Sequence, residues 1–259
     1  MSSLPLVGRK VLVTRALHQA GRFSRGLREL GAEAVEVPVL EMIPPESYAP
    51  LDEALHHLDR YNWLVLTSAN AVRVVCSRSH TFGVNPAHAE GLSIAVVGGA
   101  TAETARSCGL TVAVVPDAYV AESLLESLHG RVEGKNVLLA RAAVARDVIS
   151  DTLRAAGATV DVVDAYRNVT PEAAPEQLRL ALAEGIDAAT FTSSSSVTHL
   201  QVAALAAGVP WPFAGVPAVS IGPITSGTLR ESGWEPAIEA NPFDISGLIA
   251  AVAQLLGRF

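Results

Sequence analysis

The chain repeats itself, and this constrains its fold more than any other property of its 259 residues. Residues 8–37 read GRKVLVTRALHQAGRFSRGLRELGAEAVEV, and residues 134–163 read GKNVLLARAAVARDVISDTLRAAGATVDVV. Eleven of these 30 positions are identical at an offset of 126, including Gly8/Gly134, Arg15/Arg141, Leu27/Leu153 and Gly31/Gly157. Thr67-Ser68-Ala69-Asn70-Ala71-Val72 then aligns with Thr192-Ser193-Ser194-Ser195-Ser196-Val197 at an offset of 125. Gly98-Gly99-Ala100-Thr101 aligns with Gly222-Pro223-Ile224-Thr225 at 124. Three matches in order, with the offset drifting by one, describe a duplicated half of about 125 residues.

Each half alternates short apolar runs with helical patterns. Strands are predicted at 11–15, 34–39, 63–67, 93–97 and 111–115, and again near 136–140, 159–165, 187–192, 216–221 and 235–239. Helices are predicted at 19–30, 50–59, 70–79, 101–108 and 121–129, then near 145–156, 172–184, 195–207, 225–232 and 244–257. Runs such as WLVLT and SIAVV are continuously apolar, as in parallel strands covered on both faces. Gly31, Gly109, Gly157 and Gly233 stand where helices must stop. The expected fold is α/β, with two similar doubly wound parallel-sheet lobes of five strands each. Pro38, Pro44, Pro45 and Pro50 interrupt the first half one βαβ unit in, and Pro171 and Pro175 interrupt the second at the same place. Interlobe crossings are expected there, near 37–45 and 163–172.

Several function classes are excluded. Nineteen basic residues against 26 acidic ones give a net charge of −7, with no Lys/Arg run for nucleic acid. No apolar segment is long enough to span a membrane, and the N-terminal residues lack a signal-peptide core. Cys76 and Cys108 form no CxxC, and two thiols are too few for a disulfide scaffold, so a cytoplasmic location is expected. There is no GxGxxG, HExxH or GxSxG. The seven histidines are scattered without a metal-ligand spacing. No cofactor and no metal are expected. Schiff-base chemistry would have only Lys10 and Lys135 to draw on.

What the sequence offers is four unusual turns, each leaving the C-terminal end of a predicted strand. They are Thr67–Asn70, Gly98–Thr101, Thr192–Ser195 and Gly222–Thr225. Ligands of parallel α/β sheets bind at this edge, where first-turn N–H groups and helix dipoles favour carboxylate or phosphate. Any one turn is an ordinary helix cap; four of them, paired by the repeat, predict a binding rim facing one interlobe cleft. The substrate-binding candidates are Ser68, Ala69, Asn70, Gly98, Gly99, Ala100 and Thr101 in the first half. In the second they are Ser193, Ser194, Ser195, Gly222, Pro223, Ile224 and Thr225. Arg15 and Arg141 follow the first strand of each repeat and suit bidentate capture of a carboxylate. Arg146 is a weaker candidate, because its repeat mate is Ala20. Tyr166, beside the second crossing, is the candidate proton donor.

The ordered set VLVTRA, DRYNWLVLTSANAV, VVGGATAETARSCGLTVAVVP, NVLLARAAVARDVISDTLRAAGATVDVVDAYRNV and SIGPITSGTLRESGW resembles the uroporphyrinogen-III synthase family along essentially the whole chain. The resemblance implies two α/β lobes joined by a two-stranded linker, with residues 1–37 and 166–259 in one lobe and 38–165 in the other. It implies a lyase of haem and porphyrin biosynthesis. Such an enzyme converts hydroxymethylbilane, a linear tetrapyrrole, to uroporphyrinogen III, inverting ring D through a spiro intermediate, without cofactor. It further implies that Tyr166 assists departure of the terminal hydroxyl and that Ser68, Thr101, Ser193 and Thr225 lie on the cleft. The implied partners are the substrate, with no nucleic acid and no membrane, and transient contact with the preceding pathway enzyme; the implied state is a monomer. Eight substrate carboxylates suit the rim read from the residues. Two other readings compete: a non-enzymatic two-lobed protein that closes on a small polycarboxylate, and a cofactor-free transferase of another α/β class.

Overall fold

The structure is a computed structural model that describes residues 4–15, 17–116, 121–145 and 147–257. The chain runs β1 (Lys10–Val13), α1 (Leu17–Glu29), β2 (Glu33–Glu36), β3 (Glu41–Ile43), α2 (Ala49–His56), β4 (Trp63–Leu66), α3 (Ala69–Thr81), β5 (Ser93–Val96) and α4 (Gly99–Ser107). It continues through β6 (Val112–Val114), α5 (Ala121–Leu128), β7 (Asn136–Ala142), α6 (Val148–Ala155), β8 (Thr159–Val169), α7 (Ala174–Ala183) and β9 (Ala188–Phe191). It closes with α8 (Ser194–Ala206), β10 (Ala218–Ser220), α9 (Pro223–Glu231), β11 (Pro236–Glu239) and α10 (Ile245–Leu256). Two units result: Met1–Glu41 with Val169–Phe259, and Met42–Asn168.

The first unit holds a five-stranded sheet in the order β11-β10-β9-β1-β2, and its pairings are parallel. Alternate side chains of β1 leave by opposite faces, as strand pleating requires. Leu12 joins a core with α7, α8 and α9 through Leu178, Leu200 and Leu229. Val11 and Val13 join another with α1 and α10 through Phe23, Leu27, Leu248 and Val252. Both faces are thus covered, which is why these strands carry no polar alternation.

The second unit repeats the plan in the order β3-β8-β7-β4-β5-β6. Leu64, Leu66, Leu138 and Ala140 pack on α2, α3 and α4. Trp63, Val65, Val137 and Leu139 pack on α5 and α6. The sequence repeat maps one sheet on the other: β1 matches β7, β2 matches β8, and β9, β10 and β11 match β4, β5 and β6. Yet β1 pairs with β9, and β7 pairs with β4. The opening βαβ segment of each half therefore completes the sheet built by the other half.

Helix ends follow the local chemistry. Gly31, Gly109, Gly157 and Gly233 have φ between +79° and +91°, the left-handed conformation that stops a helix. Ser68 and Asp244 cap α3 and α10 through the backbone N–H groups of Ala71 and Gly247.

The second sheet departs from the expected five strands. Glu41–Ile43, between Pro38 and Pro44, adds a sixth, and β8 runs on to Val169 in place of ending near residue 165. Three residues between prolines are too few to show a period, and Arg167-Asn168 look like loop residues. Pairing at the sheet edge supplies their backbone partners and makes them strand. The chain passes between the units after Glu41 and after Asn168.

Candidate active site

In the second unit the rim is built where β4, β5, β7 and β8 end. Ser68 follows β4 with an extended backbone (φ −156°, ψ 158°), and its Oγ accepts the Ala71 N–H at 3.1 Å. The same Oγ lies 3.1 Å from the Tyr166 hydroxyl. Tyr166 stands on β8, opposite Ala142 of β7, while β4 lies on the far side of β7. Strands are about 4.8 Å apart, so the phenol must cross a whole strand to reach Ser68. It can do so because what it crosses is small: its ring packs with Ala71, Ala165 and Ala142. Tyr166 is 7% exposed. It is a strand residue with an anchored hydroxyl, and it stands just before the chain passes between the units after Asn168.

Arg141 leaves the end of β7, and its Nη2 donates to Asp147 at 2.6 Å, just before α6. The guanidinium is mostly buried, whereas Asp147 is largely exposed. Gly98 opens α4 with an extended backbone and no side-chain cap. The first-turn N–H groups of Gly99, Ala100 and Thr101 therefore keep their anion-binding character. The Thr101 side chain turns inward and is buried. Asn70 accepts from Arg73 at 3.0 Å. Arg146 lies outside the described residues.

The first unit carries the matching rim on its own sheet. Arg15 follows β1 half-buried, and burial lowers the pKa of its guanidinium. Ser193 and Ser196 form a reciprocal capping box at the start of α8. Ser194 Oγ accepts the Thr228 hydroxyl at 2.7 Å and ties α8 to α9. Ser195 is the serine of the four whose hydroxyl is engaged by no hydrogen bond among the described residues, and it is half-buried. Gly222 opens α9, with Pro223 supplying the preset φ of a first helical residue. Ile224 is exposed, and Thr225 is buried.

The two rims differ in one respect that bears on chemistry. At the offset of 126, Tyr166 falls on Leu40, so the hydroxyl pair with Ser68 exists in the second unit alone. The structure also brings in Phe243, which the sequence reading did not single out. It follows β11, is 62% exposed, and packs so closely on Gly222 that an added Cβ there would sit 3.4 Å from its own Cβ. Its signal in the sequence was an aromatic residue directly before the capping Asp244 of α10.

Among the described residues no three His, Cys, Asp or Glu side chains gather where a metal ion could sit, and no helix is long and apolar enough to cross a membrane. A cavity of about 420 Å³ beside Tyr61, Arg154 and Asp161 holds none of the rim residues.

Residues 21–250 match the family model described as Uroporphyrinogen-III synthase HemD. A uroporphyrinogen-III synthase of Synechococcus elongatus is 36% identical over 98% of both chains. One of Chlorobaculum parvum is 27% identical over 95% of this chain and 98% of its own. Among solved structures, a uroporphyrinogen III synthase of Thermus thermophilus superposes with a TM-score of 0.71 at 19% identity, covering 96% of this chain and 99% of that one. The Helicobacter pylori enzyme does so at 0.59 and 17% identity, covering 95% and 99%.

Proposed function

The chain belongs to the uroporphyrinogen-III synthase family, and on that premise we propose that Tyr166 is its proton donor and that the rim residues of both sheets hold the substrate's carboxylates. The activity is closure of hydroxymethylbilane to uroporphyrinogen III in tetrapyrrole biosynthesis. As a lyase step, the terminal hydroxyl takes a proton and leaves as water, and the remaining carbon is an azafulvene cation. The substituted carbon of ring D attacks it to form the spiro-pyrrolenine. That ring then reopens in the inverted sense, the macrocycle closes, and a proton is lost.

The observation that carries this reading is the Tyr166 hydroxyl, held 3.1 Å from Ser68 at the carboxyl edge of a parallel sheet. Ser68 Oγ already accepts the Ala71 N–H, so its position is fixed by α3. A phenol anchored in this way meets the leaving hydroxyl without first being ordered. Arg15 and Arg141 supply charge-assisted bonds for carboxylates. The first-turn N–H groups at Gly98–Thr101 and Gly222–Thr225, and the hydroxyls of Ser193, Ser194 and Ser195, supply neutral ones. Ser195 is the serine we assign to direct contact, since the cap and α9 already engage its neighbours. Ile224 and Phe243 give a pyrrole face apolar surface. Hydroxymethylbilane closes unaided to the type I isomer, so the protein's task is orientation of ring D and protection of a cation. The same reading carries a cytoplasmic monomer that takes its substrate from the preceding enzyme.

The test is to supply freshly generated hydroxymethylbilane, oxidise the products and separate the uroporphyrin isomers. Type III product supports the assignment. Type I alone overturns it in favour of a polycarboxylate-binding protein.

A further inference from the structure

The chain has two cysteines, 32 residues apart, and the fold brings both to one place. Cys76 is on α3, and Cys108 is the residue that ends α4. The two helices pack side by side. Both thiols line a cavity of about 320 Å³, with Ser79, His80, Asn85 and Leu110 around them. Cys76 is half-buried and Cys108 is exposed. Ser79, one turn beyond Cys76, is 2% exposed, and its hydroxyl has no hydrogen-bond partner. Burial and the neighbouring Cys108 thiol push Cys76 up to about 12.

We propose that Cys76 and Cys108 form a reversible dithiol–disulfide site whose oxidant is a low-molecular-weight disulfide. The asymmetry of the pair sets the order of events. Cys108 is the reachable thiol, so its thiolate attacks the external disulfide, forms a mixed disulfide and releases one small thiolate. Cys76 then gives up its proton and attacks the Cys108 sulfur, releasing the second. Two protein thiols lose two electrons and two protons, and one external disulfide becomes two thiols. A second thiol on the same cavity makes the last step intramolecular and therefore favoured over a lasting adduct. The bond would join α3 to the end of α4, the helices whose opposite ends carry Ser68 and Gly98.

The experiment is incubation of the full chain with oxidised glutathione, followed by intact mass, thiol titration after unfolding, and peptide mapping. The expected product is a monomer lighter by two hydrogens, with no titratable thiol and with Cys76 and Cys108 in one linked peptide pair. Dithiothreitol restores both thiols. Cys76→Ser should trap a glutathione adduct on Cys108, whereas Cys108→Ser should react about tenfold more slowly or less. Phenylarsine oxide, which bridges two adjacent thiols, should block both in the unoxidised wild-type chain; this needs no variant to fold. A stable adduct on wild-type Cys108, a chain dimer through Cys108, or no reaction at all would overturn the proposal.

Discussion

Replacing Tyr166 with phenylalanine deletes one oxygen atom and leaves the ring where it packs, among Ala71, Ala142 and Ala165. The structural cost is small. Ser68 keeps its bond to the Ala71 N–H, so the α3 cap survives, and one neutral hydrogen bond at 3.1 Å is lost. That is worth about 1 kcal/mol of stability. The catalytic cost is larger if the phenol is the acid. Acid assistance contributes about 10²- to 10⁴-fold in general. Hydroxymethylbilane loses its hydroxyl unaided, so the effect should lie at or below the lower end of that range and kcat should fall about tenfold to a hundredfold, with KM little changed. The assay is isomer-resolved turnover on fresh hydroxymethylbilane, with urea denaturation alongside. A double-mutant cycle sharpens it. Ser68→Ala removes both the cap and the phenol's anchor, at about 1 kcal/mol for the cap. If Ser68 acts on catalysis through Tyr166, its effect on kcat should largely vanish in the Tyr166→Phe background. Unchanged kcat in Tyr166→Phe refutes the role outright. A fall in kcat matched by a collapse of the urea midpoint would show that the hydroxyl serves the fold and not the reaction.

Charge removal at Arg15 or Arg141, as Arg15→Gln or Arg141→Gln, should raise KM roughly tenfold, the loss of one charge-assisted bond; equilibrium binding and steady-state kinetics report it. Gly247→Ala should lower stability by about 3 kcal/mol in urea, because its Cβ would stand 1.9 Å from the Pro242 carbonyl oxygen. His199 sits half-buried with its Nδ1 2.8 Å from the Thr170 hydroxyl, and burial lowers its pKa below the usual 6.5. Below that value the unfolded chain binds the proton more readily than the folded one, so stability should fall as the pH is lowered through this window. His199→Gln should flatten that slope in thermal melts recorded across it.

Much of the molecule is legible along the chain because its signals are local. WLVL and SIAV are apolar at every position and become β4 and β5, buried on both faces. Ser68 and Ser193 announce helix starts, and Gly31 and Gly157 announce stops, through bonds that span only a few residues. The carboxyl-edge turns follow from the same alternation of strand and helix. β3 is different: three residues between prolines have no pattern of their own and become strand only when paired with β8.

The sequence by itself determined that there are two similar parallel α/β sheets, and which turns decorate their carboxyl edges. The repeat and the apolar runs are one-dimensional facts and need no contact to be read. It did not determine from the repeat alone which strands meet. Because the halves resemble each other, β1 is as compatible with β4 as with β9, and only closure of the whole chain decides for β9. Proximities across sequence gaps were likewise hidden: Tyr166 with Ser68, Cys76 and Cys108 on one cavity, and Phe243 with Gly222. Each joins residues whose local sequences carry no trace of the other, and each exists because packing, not pattern, sets the distance between their elements.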